Sequence, residues 1–385
     1  MIDSISRDKN NFGFLRLSFA TLVILAHSPE IIDGNGSREI LCRIFGTISF
    51  GDLAVDGFFL VSGYLITLSY LRSKSNVDYL LKRVLRIYPG YIVAFLFSLI
   101  VVGLLVGGRI ADLRSELHLN LPAHLLLLDE PELKSAFTGL GVREATLNAS
   151  MWTLIYEFRC YCVLMILGAM GVLRNRKVFL GITAVLVEAL IVMHENIAYF
   201  HIHINVHTPV PTLLLHYLIG DPIEAIRLYA IFFCGGCFFL FSDKIVYRSS
   251  LAIVAGAALF NLMYSFQLAE AAIAVLGGYI LFWFALSVKT DWLGRVGSKN
   301  DLSYGIYIYA WPIQMLTIWY FRHISPWLLV AITVPIASAL AYGSWVCVER
   351  PFLNLKGRLR LNKETSAVVS TGRNELPHPA EAQTI

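Results

Sequence analysis

Arg16 and His27 stand within the first apolar stretch of the chain, Phe-Gly-Phe-Leu-Arg-Leu-Ser-Phe-Ala-Thr-Leu-Val-Ile-Leu-Ala-His. Eleven helical positions come to about 20° past three full turns, so both side chains point from one face, roughly 16 Å apart along the axis. An ionisable group inside a span costs roughly 2.5–3.5 kcal/mol on insertion scales, which makes each a functional candidate. The bland alternatives are an arginine that snorkels to the headgroups and an interfacial histidine. An imidazole is suited to taking a proton from an alcohol near neutral pH. Two carboxylates could serve it: Asp56, in the outer half of the second span, and Glu157, about two turns into the fourth. Three spans would then bring a His, an Asp and a Glu to a similar level. A polar knot that only fixes helix packing is the alternative.

At the opposite end, Lys82-Arg83-Val-Leu-Arg86-Ile-Tyr88-Pro89 precedes the third span. Arg83 and Arg86 share a face if this loop forms a helical turn, and together could grip a phosphate. An anchor to anionic lipid is the alternative. Tyr304, Tyr307 and Trp311 recur at i, i+3 and i+7, one aromatic face of the ninth span, either lining a cleft or packing. His201, His203 and His207 alternate as metal ligands can on a strand, but no carboxylate or cysteine completes the set nearby, and no metal is assigned. Cys234 and Cys237 form a Cys-x-x-Cys within Phe-Phe-Cys-Gly-Gly-Cys-Phe-Phe, where small residues for helix packing are the simpler reading than redox chemistry.

The elements that must position these groups are membrane helices. Hydrophobic residues make up 57% of 385 positions and charged residues 15%, against about 25% charge in a soluble domain. Apolar runs long enough to cross about 30 Å of hydrocarbon recur along the chain. They predict an all-α polytopic bundle of about ten spans, near 12–28, 48–70, 88–107, 150–170, 178–194, 225–242, 250–267, 271–288, 303–320 and 326–347. Stretches 121–128 and 209–219 are shorter and read as re-entrant or interfacial pieces. With both termini cytoplasmic, the inside segments hold most of the 31 Lys and Arg, as the positive-inside rule expects. Arg227 falls in an outside loop in this scheme. The net charge of +4 on so apolar a chain gives no ground for a nucleic-acid partner. The first span reads as retained rather than cleaved. Residues 1–360 form one membrane domain, and 361–385 a polar, disordered cytoplasmic tail.

These stretches, in order, resemble the acyltransferase 3 family of integral-membrane acyltransferases. Arg16 and His27 resemble its first motif, Val55-Asp56-Gly-Phe-Phe-Leu-Val-Ser62-Gly63-Tyr its second-span signature, and Arg83-Val-Leu-Arg86 its Arg-x-x-Arg motif. Trp152-Thr-Leu-Ile-Tyr-Glu157-Phe, Ser303-Tyr304-Gly-Ile-Tyr307 with Trp311-Pro312, and Val348-Glu349-Arg350-Pro351-Phe352 resemble the remaining motifs. The resemblance spans about residues 10 to 355 and implies transfer of an acyl group, usually acetyl, from cytoplasmic acyl-CoA to a hydroxyl of an envelope glycan or lipid-linked glycan. It implies a bacterial inner-membrane enzyme with acyl-CoA as substrate and no permanently bound cofactor. Arg83 and Arg86 would hold the CoA phosphates, Arg16 would position the donor, and His27 would act as base on the acceptor. Asp56 or Glu157 would orient His27, and Trp152, Tyr304, Tyr307 and Trp311 would line the acceptor side.

An alcohol is a poor nucleophile at neutral pH, and an imidazole oriented by a carboxylate corrects that. Direct transfer is simpler than a covalent acyl-enzyme, with Ser62 and Cys160 left open as nucleophiles. Two departures stand out. Ala310 occupies a position where many relatives carry a histidine, and the chain ends in a short tail where some relatives carry a hydrolase-like domain. The principal rival is a transporter or flippase using His27, Asp56 and Glu157 as a proton relay. A structural membrane protein would leave the buried charges unexplained.

Overall fold

The computed structural model describes residues 10–140, 146–195, 220–297 and 300–354. The histidine loop 201–207, the stretch 209–219 and the tail 361–385 lie outside these residues. Ten helices fall where the sequence predicts ten spans: α1 (Phe12–Asp33), α2 (Phe50–Leu71), α3 (Asn76–Leu105), α4 (Ala149–Ala169), α5 (Arg176–Glu195), α6 (Pro222–Leu240), α7 (Ser249–Leu262), α8 (Ala269–Ser287), α9 (Ser303–Tyr320) and α10 (Pro326–Asn354). Seven of them are long and apolar enough to cross a membrane; α5, α7 and α9 are not among these seven. Helix α7 has 14 residues, about 21 Å, which is short of the hydrocarbon core. Helix α9 runs through the interior and carries buried Ser303, Gln314 and Thr317. The family of helices makes this a multi-pass membrane protein, all-α over the described residues.

Two starts differ from the expectation. Helix α2 begins with a full capping box, Ser49 and Asp52 each bonding the other's backbone N–H. Helix α3 begins at Asn76, capped by Ser75. Arg83 and Arg86 therefore lie on a helix rather than in a loop, because the basic stretch continues the same 3.6-residue period as the apolar run beyond it. The short segment 121–128 contains a helix at Leu121–Leu127, joined to α3 where the Tyr91 hydroxyl donates to the His124 and Asp129 carbonyls.

Glycine sets how closely the central helices approach. A Cβ at Gly63 would sit 1.9 Å from the Phe232 carbonyl oxygen, and one at Gly235 would sit 2.1 Å from the Leu60 carbonyl oxygen. Helices α2 and α6 thus touch backbone to backbone, as small residues permit within a bilayer. Cys234 and Cys237 flank this crossing; both are free thiols, and Cys237 Sγ meets Thr183 Oγ1 at 3.2 Å.

Polar clamps fix α1. Asn11 Nδ2 donates to the Phe284 and Val288 carbonyls at the end of α8. Thirteen residues after Asn11, the Ile24 carbonyl accepts from buried Gln314 Nε2 of α9 at 3.0 Å, and Gln314 also donates to Ser28 Oγ at 2.8 Å. Those bonds set the rotation of α1, and with it the directions of Arg16 and His27.

Candidate active site

One end of α1 opens on a basic cavity of about 770 Å³, lined by Arg16, Arg72, Lys82, Arg83, Arg86 and Asp301 among others. Arg16, Leu65, Arg83 and Arg86 also line a narrower inner chamber of about 140 Å³. The two spaces are therefore consecutive, joined at three arginines. A mainly apolar wall makes the charges inside it stronger than they would be in water.

Three different arrangements hold the arginines. Arg16 Nη1 and Arg86 Nη2 converge on a single oxygen, Asp301 Oδ2, at 2.6 and 2.7 Å. Burial alone would raise the Asp301 carboxyl, but Arg16, Arg86 and Ser303 hold it down at about 2. Arg86 also lies 3.7 Å from Glu349, over the ring of Tyr304 and beside that of Trp345. A π-type turn at Trp345–Glu349 turns both of these α10 residues inward. Arg83, by contrast, has no carboxylate partner among the described residues. It donates to Ser69 Oγ at 3.2 Å and lies over the rings of Tyr79 and Tyr161. Its buried Nε has no hydrogen-bond partner.

The inner chamber carries Ser62, Thr153, Glu157, Tyr161, Tyr304 and Tyr307. The Ser62 hydroxyl donates to Glu157 Oε1 at 3.0 Å, and the Tyr161 hydroxyl donates to the same oxygen. The chamber wall also carries Tyr307 and Thr153, which share a 2.8 Å hydrogen bond, and Phe58, which packs edge-on to Tyr307. His27 is not part of that wall; its ring stands edge-on to that of Trp311 at 5.0 Å, and Trp311 follows Tyr307 by about one helical turn on α9. Trp311 is held by its own indole N–H, which donates to the Thr146 carbonyl. Trp152 packs against Tyr156.

The expected His–Asp–Glu cluster is not what these helices build. His27 Nδ1 is 2.9 Å from Glu30 Oε2, one turn along its own helix. Asp56, fully buried, bonds instead to Arg227 Nη2 at 2.8 Å. Arg227 also meets Glu224 at 3.1 Å and Glu270 at 3.2 Å, with Asp52 at 3.6 Å. The sequence reading set Arg227 in an outside loop, but it is buried in the first half of α6 and ties α2, α6 and α8 together. A buried guanidinium offsets its desolvation only by claiming carboxylates, and Asp56 is the nearest. Glu157 is taken by Ser62 and Tyr161. Of the aromatic face, Tyr304 and Tyr307 line the chamber while Trp311 supports His27.

Asp301, Glu30, Glu349 and Gln314 were missed as site residues. Glu30 carried a usable signal, since an acid three residues after a helical histidine shares its face. The others meet their partners only through tertiary packing.

The arrangement offers a cationic entrance, a small apolar chamber with a hydroxyl–carboxylate pair, and a histidine–carboxylate pair at the far end. The acyltransferase domain family matches residues 10–347, across all of these features. The chain belongs to the acyltransferase 3 family. Among similar curated proteins, an O-acetyl transferase of Shigella phage Sf6 is 29% identical over 359 residues, covering 89% of this chain and 96% of the phage protein. Nodulation protein 10 of Rhizobium leguminosarum bv. viciae is 28% identical over 376 residues, covering 92% and 96% respectively. No solved structure matches the chain. This membrane acyltransferase is thus an enzyme of the O-acetyltransferase type.

Proposed function

We propose that this acyltransferase moves an acetyl group from cytoplasmic acetyl-CoA to a hydroxyl of a cell-envelope or secreted glycan, within the bacterial inner membrane. The observation that carries the reading is the basic cavity narrowing through Arg16, Arg83 and Arg86 into a chamber of acyl-group size. A nucleotide-bearing thioester fits such a path. Its phosphates would rest on the arginines, and its apolar acyl end would enter the chamber. Arg83 supplies an uncompensated guanidinium, while Asp301 keeps Arg16 and Arg86 side by side despite their like charge. The basic end faces the cytoplasm in this reading, with both termini on that side.

His27 acts as general base on the acceptor hydroxyl, and Glu30 fixes its tautomer by accepting from Nδ1–H, leaving Nε2 free to take the proton. Trp311 holds the imidazole at the acceptor side. The similarity to a phage O-acetyl transferase supports acetyl as the group transferred. A proton relay through His27, Asp56 and Glu157 has less support, because each is engaged in a separate contact with Glu30, Arg227 and Ser62.

The test is binding of acetyl-CoA to purified protein in lipid nanodiscs. Replacing Arg83 and Arg86 together with Ala is expected to weaken it by at least tenfold. Equal affinity in the double variant contradicts the donor path.

A further inference from the structure

His27 is not among the residues that line the donor chamber. The Thr153–Tyr307 pair and Phe58 form part of the chamber wall, whereas His27 packs on Trp311, about one turn along α9 from Tyr307. A thioester carbonyl held in the chamber therefore faces Ser62 and Glu157 rather than His27. Within the chamber stands an aliphatic hydroxyl paired with a carboxylate: Ser62 Oγ donating to Glu157 Oε1 at 3.0 Å. A serine bonded to a base in a mainly apolar pocket is the arrangement of an activated nucleophile. Tyr161 donates to the same Glu157 oxygen and so fixes the carboxylate in place. Arg83, whose guanidinium lies over the Tyr161 ring, has a buried Nε donor without a partner and borders the same chamber.

We propose that Ser62 is a covalent acyl carrier, which replaces the expectation of direct transfer and rests on the acyl-CoA reading above. In the first half-reaction Ser62 Oγ attacks the thioester carbonyl. The new C–O bond forms as the C–S bond breaks, and the serine proton passes to Glu157 and then to the departing sulfur, releasing CoA as the free thiol. The Arg83 guanidinium, which borders the chamber, stabilises the developing oxyanion, the charge for which a preorganised donor contributes most. In the second half-reaction the Tyr307–Thr153 contact opens toward His27. The acceptor hydroxyl attacks the serine ester, His27 takes its proton, and that proton returns to Ser62 Oγ as the ester C–O bond breaks. The chain then stands as it began, and no oxidant, metal or second cofactor is needed.

The experiment uses the full chain in nanodiscs with acetyl-CoA labelled in its acetyl group and no acceptor. The expected result is a burst of free CoA approaching one per protein, with one acetyl group on the peptide containing Ser62. Ser62→Ala should bind acetyl-CoA with unchanged affinity, which reports a folded protein, yet give no burst. Ser62→Cys should give an acyl species released by neutral hydroxylamine, as a thioester is and a serine ester is not. Glu157→Gln should slow the burst at least tenfold while leaving donor affinity within about twofold. Glycan acetylation in cells by Ser62→Ala at the wild-type rate, or wild-type turnover with no burst and no acyl-peptide, overturns the carrier and leaves the acyl-CoA reading standing. Wild-type protein that neither binds nor consumes acetyl-CoA overturns both.

Discussion

Asp301 Oδ2 lies 2.6 Å from Arg16 Nη1, and through that same oxygen it also holds Arg86. Two guanidiniums on helices α1 and α3 are thereby kept adjacent at the neck between the two cavities. The contact depends on close backbone packing nearby: a Cβ at Gly13, one turn before Arg16, would sit 2.3 Å from the Val296 carbonyl oxygen. With its carboxyl held near 2, Asp301 stays ionised throughout the physiological range. Its folded-state value is depressed, so its stabilising contribution is complete above the ordinary 3.8 and is lost as pH falls through about 2.

Asp301→Asn removes the charge that offsets the repulsion between Arg16 and Arg86. The expected outcome is a rise of about tenfold in the KM for acetyl-CoA, about 1.4 kcal/mol of binding, with a smaller change in kcat. Steady-state kinetics on the purified variant measures the split. Tighter donor binding would show that Asp301 competes with the donor phosphates rather than arranging their partners.

Arg83 and Arg86 should separate in their effects. Arg83 has no carboxylate to strand, so Arg83→Ala lowers donor affinity with little loss of thermal stability. Arg86→Ala leaves Glu349, only 2% exposed, without its nearest cation. Breaking a buried pair costs about 3–5 kcal/mol, so this variant should melt earlier in detergent as well as bind donor weakly. Melting curves with and without acetyl-CoA distinguish the two.

Glu30→Gln tests the orienting role at the acceptor end. A neutral amide no longer stabilises the imidazolium that forms when His27 takes the acceptor proton. Turnover should drop roughly 10- to 100-fold, within the range by which general acid–base groups contribute, while acetyl-CoA affinity stays as in wild type. Asp56→Asn, if it lowered turnover equally without loss of stability, would return the orienting role to Asp56.

Arg227→Ala should be the most destabilising of the single changes. It strands a fully buried Asp56 beside Glu270 and Glu224, at a cost of about 3–5 kcal/mol. Low yield and a depressed melting temperature are expected, with partial recovery when Asp56→Ala is added. A stable Arg227→Ala protein lacking activity would instead make this cluster part of the chemistry.

The helices were legible in the sequence because long apolar runs leave few alternatives, and a helix lies at each of the ten runs, although seven of the ten are long and apolar enough to cross a membrane. Residues that share one helix were legible too, since Arg16 and His27, or Tyr304, Tyr307 and Trp311, are related by local periodicity alone. Partnerships between helices were not. Asp56 and Arg227 are 171 positions apart and Gln314 and Ile24 are 290 apart. Which side chains face each other there depends on helix crossings set by contacts such as Gly63 on Phe232. Asp301 reads in sequence as an ordinary acid between spans, and its role comes only from two arginines arriving from elsewhere.

Acyl transfer to a glycan, with His27 as the base, leaves its mark on the product. Its most direct measurement is the NMR spectrum of surface glycan purified from cells carrying the wild-type protein, His27→Ala, or neither, with membrane levels of the two proteins matched. O-acyl signals are expected with wild type alone. Identical acyl signals in all three samples would contradict the account.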